Sequence, residues 1–166
     1  MDDRRMSSRA LALIAVASLA PAAAALGALT PDHRVRPGVG AGGVRLGMTE
    51  GQVLRVLGKP DARVLARTDL GSFIDLTWPG IEVRRWDGAG GRVVNIAITD
   101  RGIRMDNGIG VGSPLARVRI AFPKAECETA ERMCMLGDPV PGNTITTMRF
   151  SRSGRVSELS VGRVID

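Results

Sequence analysis

Val44-Arg-Leu-Gly47-Met-Thr-Glu-Gly-Gln-Val-Leu-Arg-Val-Leu-Gly58-Lys-Pro60 is the stretch on which the fold turns. Thr49 is an N-cap residue type, and Gln52, three positions on, completes a capping box. Met48 before the cap and Val53 at the fourth helical position have the spacing of a hydrophobic staple. Gly58 and Pro60 stop the helix, because neither continues it. The spacing therefore predicts two to three turns with Val53, Val56 and Leu57 on the inner side.

The pattern returns 65 residues later as Ile109-Gly-Val-Gly112-Ser-Pro-Leu-Ala-Arg-Val-Arg-Ile-Ala-Phe-Pro123-Lys124. Val44 matches Ile109, Gly47 matches Gly112, Val53 matches Val118 and Leu57 matches Phe122. Here Ser113 is the expected cap, Pro114 sits in the first-turn position where proline is tolerated, and Pro123 ends the helix.

After each helix the apolar period changes from helical to alternating. The first half offers strands at 73–78, 81–86 and 92–99, with a turn at Asp87-Gly-Ala-Gly-Gly91. The second offers 143–150 and 155–161, with a turn at Ser151-Arg-Ser-Gly154. Each reads as a β-hairpin with a Gly-bearing connection, and alternation groups Val94, Ile96 and Ile98 on one face. The expectation is an α+β protein of two tandem repeats, residues 43–103 and 104–166, each a short helix or helix pair packed on antiparallel strands. A unit of about 60 residues buries little surface by itself, so the two should share one core, with helices on one side of the sheet.

Upstream, Met1–Arg9 carries Arg4, Arg5 and Arg9, followed by apolar Ala10–Ala20, a break at Pro21 and the small residues Ala22–Ala25. Positive head, apolar middle and small-residue site are the parts of a secretory signal peptide. Residues 1–25 are so assigned, with cleavage after Ala24 or Ala25 and Ala28 as the alternative; an uncleaved membrane anchor is the competing reading. Residues 26–42, rich in Gly and Pro, are expected to form a flexible lead-in. Its G-x-G-x-x-G at Gly38, Gly40 and Gly43 lacks the strand before it and the helix opening on it that a dinucleotide fingerprint needs. An exported location, periplasmic or extracellular, follows.

Composition narrows the chemistry. The 166 residues include one His, no Tyr, two Cys and five aromatics (Phe73, Trp78, Trp86, Phe122 and Phe150). That disfavours His-based catalysis, a zinc cage and a base-stacking platform, so nucleic acid is not an expected partner. The formal charge of +6 comes from scattered basic residues; steering needs clustered charge, so at most a weak contact with an anionic surface is expected. His33 lies in the lead-in, away from any group it would serve. Glu126, Glu128 and Glu131, and separately Asp100 and Asp106, lack the alternating oxygen-ligand pattern of a calcium loop. No catalytic, cofactor-binding or metal-binding residue is assigned.

Cys127 and Cys134 flank Glu-Thr-Ala-Glu-Arg-Met. In an oxidising compartment a close pair of this kind forms a disulfide, and the spacing is not the C-x-x-C of a redox motif. Trp86 with Arg84 and Arg85 is the candidate protein-binding patch. If Ile81 and Val83 face the core, Glu82, Arg84 and Trp86 face out. Trp86 also aligns with Phe150 at a strand end, which argues instead for a packing role, and a bulge would turn it inward.

Gly47-Met-Thr-x-x-x-Val-x-x-x-Leu-Gly-Lys-Pro60, followed by antiparallel strands, resembles the SmpA/OmlA family of small outer-membrane assembly lipoproteins. The duplicated arrangement over residues 43–161 is also similar to the secreted β-lactamase-inhibitor protein family. Two departures stand out: no lipidated Cys follows the signal segment, and the aromatic-rich binding face of the inhibitors has few counterparts here. The resemblance implies an exported, non-catalytic module that binds protein or serves envelope assembly, with no cofactor. A secreted enzyme inhibitor and a small hydrolase with a carboxylate site are the alternatives.

Overall fold

Local chemistry builds the first helix as expected. In the computed structural model, which describes residues 32–165, helix α1 (Glu50–Leu57) opens on Thr49, whose Oγ1 accepts the Gln52 N–H while the Gln52 side chain accepts the Thr49 N–H. Gly58 closes it, its N–H donating to the Leu54 carbonyl. The signal-peptide assignment lies outside the described residues.

Among the described residues three short strands precede the helix: β1 (Val35–Arg36), β2 (Gly40–Ala41) and β3 (Val44–Arg45), paired antiparallel in that order. This corrects the expected flexible lead-in over its described part. Val35, Ala41 and Val44 are buried in the common core. Glycine makes the tight meander possible: a Cβ on Gly40 would lie 2.0 Å from the Val44 carbonyl oxygen, and Gly42 turns at φ +61°, a conformation most side chains disfavour.

The remaining strands are β4 (Ala62–Thr68), β5 (Gly71–Trp78), β6 (Ile81–Trp86) and β7 (Val93–Ile98), then helix α2 (Leu115–Ala121), β8 (Glu126–Glu128), β9 (Met133–Leu136), β10 (Thr144–Phe150) and β11 (Val156–Arg163). They form one antiparallel eight-stranded sheet in the order β4-β5-β6-β7-β11-β10-β9-β8. Two four-stranded meanders thus meet edge to edge through their last strands, with Leu159 opposite Ile98 and Val161 opposite Ile96. The fold is α+β. No helix among the described residues is long and apolar enough to cross a membrane.

Period-two alternation sorts the sheet into two unlike faces. On one, a cross-strand row runs Trp78, Ile81, Ile98, Leu159, Met148, Cys134 and Cys127. Val53 of α1 and Val118 of α2, both fully buried, pack into this side together with the small sheet. The adjoining row on the other face reads Thr77, Glu82, Ala97, Ser160, Thr147 and Met135. No helix or strand among the described residues covers it.

Each helix is tied to its meander in the same manner. Gly47 N–H donates to the Val93 carbonyl at 2.8 Å, and Val93 N–H to Met48. In the second half Gly112 N–H donates to Val156 at 2.7 Å, and Val156 N–H to Ser113. Arg92 reaches the Gly47 carbonyl as Arg155 reaches that of Gly112. The caps differ, however. Pro114, not Ser113, precedes α2 and supplies no side-chain cap. Ser113 Oγ instead accepts the Gly110 N–H, 3.1 Å away in the buried turn before the helix.

Candidate functional site

The uncovered face carries its aromatic residues at one end. Phe73 on β5 lies directly opposite Trp86 on β6, and the rings stack with centroids 4.5 Å apart and planes 27° from parallel. Phe73 is 2% exposed yet stands apart from the main core; Trp86 is half-buried. Trp86 is therefore an outward residue. Phe150, with which it aligns in sequence, faces the helix side, so the two do not share a packing role. The bulge between Arg84 and Arg85 in the β6–β7 pairing turns Val93 to the core side, and Val94 instead lines the open-face groove beside Phe73 and Arg84.

Arg84 is held in place next to that stack. Its Nε and Nη2 donate to the two carboxylate oxygens of Asp75, at 2.7 and 2.8 Å. This bidentate geometry fixes the guanidinium plane, which lies 5.6 Å from the Phe73 ring centroid, within cation–π range. The hydrogen bonds to Asp75 raise the Arg84 pKa further, against a smaller opposing effect of burial. The groove of ≈ 290 Å³ beside it is walled by Leu70, Asn95 and Arg163 as well.

Arg85 does not belong to the patch. Alternation places it on the side of Ile81 and Val83, where it is 6% exposed. Its Nε donates to Glu50 Oε2 at 2.8 Å and its Nη1 to the Trp86 carbonyl at 2.6 Å. Arg63 donates to the other oxygen of Glu50. Burial pushes the Glu50 carboxyl up, but the hydrogen bonds from Arg63 and Arg85 outweigh it and hold its pKa below the usual value. The ion pair ties the first turn of α1 to β6, a structural role. The signal in the sequence is that Arg85 extends the series Ile81, Val83, with an acidic residue at the start of the helix that covers them.

Phe73 and Asp75 are the residues missed at sequence level, although both alternate with the core residues Ile74 and Leu76 and so share the face of Arg84 and Trp86. Cys127 and Cys134 form the expected disulfide, bridging directly opposed residues of β8 and β9. Glu126, Glu128 and Glu131 are exposed, and no cluster of potential metal ligands occurs among the described residues.

No protein family matches the chain, and no curated protein does. Among solved structures it is similar to the uncharacterised protein YfeY from Escherichia coli, with 14% sequence identity and a TM-score of 0.49 over 76% of this chain and 97% of that one.

Proposed function

We propose that the chain is an exported, non-catalytic protein-binding or envelope-assembly module of the SmpA/OmlA type, made of two copies of one helix-plus-strand unit, residues 43–103 and 104–166. The open sheet face carries this reading. Its centre carries small side chains (Ala97, Ser160, Thr147), and its β4–β6 end presents Trp86, Arg84 and the exposed Val64 and Leu70. Protein interfaces anchor on Trp and Arg set in such surroundings. The matched hydrogen bonds that tie Gly47 to Val93 and Gly112 to Val156 support duplication. The disulfide supports export, since such bonds persist in oxidising compartments. Glu50 and Asp75 are both engaged by arginines, which favours a structural over an acid–base role for them.

The test is site-specific photo-crosslinking in the native envelope from open-face positions Ala97 and Thr147, with the exposed helix residue Arg55 as reference. A discrete adduct from the open face alone, lost on Trp86→Ala, is the expected result. Equal adducts from Arg55, or none from the open face, refute it. An enzyme in the adduct would move the assignment to the inhibitor alternative.

A further inference from the structure

A second hollow, independent of the open face, lies where α2 meets the β8–β9 hairpin. It is a cleft open to solvent with a volume of ≈ 140 Å³, room for a single aromatic ring, since an enclosed apolar cavity of ~150 Å³ takes up benzene. Leu115, Phe150, Met133 and the Cys127–Cys134 disulfide supply its apolar lining. Sulfur atoms beside an aromatic ring are good company for a second ring.

Three arginines, Arg119, Arg132 and Arg152, also line it, against one carboxylate, Glu128. All three are exposed, and none forms an ion pair among the described residues. They come from α2, the β8–β9 turn and the β10–β11 turn, so only the fold brings them together.

Arg132 adds a separate observation. Its φ is +51°, and every other described residue in the left-handed region is glycine. The β8–β9 turn needs that conformation, and glycine adopts it without strain. An arginine there is strained, and strain of this kind collects at functional positions. Its guanidinium is what glycine would not supply.

We infer that this hollow binds a small aryl carboxylate, with the ring against Phe150 and the disulfide and the carboxylate held by Arg132. Arg119 and Arg152 add positive potential, and the planar guanidinium fork matches a carboxylate in geometry.

The probe is benzoate, titrated into the oxidised full chain and followed by backbone chemical shifts. Saturable shifts confined to residues of the hollow are expected, with benzyl alcohol binding at least about tenfold more weakly because charge-assisted hydrogen bonds to arginine are absent. Arg132→Gly should weaken benzoate by a similar factor while leaving the melting temperature unchanged or raised, a combination that mere structural damage does not produce. Arg119→Gln/Arg152→Gln, at exposed positions, should weaken it about threefold to tenfold through the lost field and serves if the glycine variant does not fold. Benzyl alcohol binding as well as benzoate, inorganic phosphate producing the same shifts, or unaltered affinity in the arginine variants would each overturn the assignment.

Discussion

Replacing Glu50 with Gln keeps the shape of the side chain and removes the charge that neutralises Arg85. Arg85 is 8% exposed at its side chain and Glu50 25%, so the pair is shielded but not dry. Breaking a fully buried pair costs about 3–5 kcal/mol, and an exposed one under about 1. An intermediate cost of about 2 kcal/mol follows. For a domain of this size that lowers the melting temperature by about 6–8 °C. Acidity supplies a second readout. Because folding lowers the Glu50 pKa, its stabilising contribution is complete above the ordinary value of 4.5 and disappears as pH falls through the folded value. The gap between wild type and Glu50→Gln should therefore be constant from neutral pH down to about 5 and close below that. Thermal denaturation by circular dichroism across this range measures both. Adding Arg85→Met to Glu50→Gln should recover part of the loss, since the double variant leaves no unpaired buried charge. A shift below about 1 °C at neutral pH, or a gap that persists unchanged far into acid, would show that this ion pair does not clamp α1 to the sheet.

Trp86→Ala removes the stack on Phe73 and should cost about 1–2 kcal/mol in urea denaturation, the aromatic pairing plus partly buried area. Cys127→Ala/Cys134→Ala opens an eight-residue loop and should cost about 2.5 kcal/mol on the chain-entropy model, with faster amide exchange concentrated in β8 and β9; uniform acceleration across the sheet would contradict a local staple. Thr49→Ala should destabilise by about 1 kcal/mol through loss of the capping box, measured as a lower urea midpoint with unchanged slope.

Some of this protein was readable from nearest neighbours along the chain. Helix α1 depends on the Thr49–Gln52 capping box and the bond from the Gly58 N–H to the Leu54 carbonyl, all within ten residues, and it forms where the capping pattern stands. The strands β5, β6, β7, β10 and β11 follow from alternation, and the disulfide from two cysteines at close spacing. The same local reasoning misassigned Ser113, because a serine before a helix can equally cap a turn, and the buried Gly110 N–H claimed it.

Other features arise only when distant segments meet. Strand β4 is mostly exposed along its length, so no apolar alternation marks it; pairing with β5 makes it a strand. The small sheet of residues 35–45 needs the core of the larger one to cover, and without it the glycines read as slack. Whether Arg85 is a surface charge or a buried clamp depends on Glu50, 35 positions earlier. The merging of β7 with β11 and the gathering of Arg119, Arg132 and Arg152 are likewise decided in three dimensions. Sequence pattern encodes which face of a strand is apolar, because alternation repeats over two residues. It does not encode what lies across that face, because the partner's position is set by chain folding rather than by spacing.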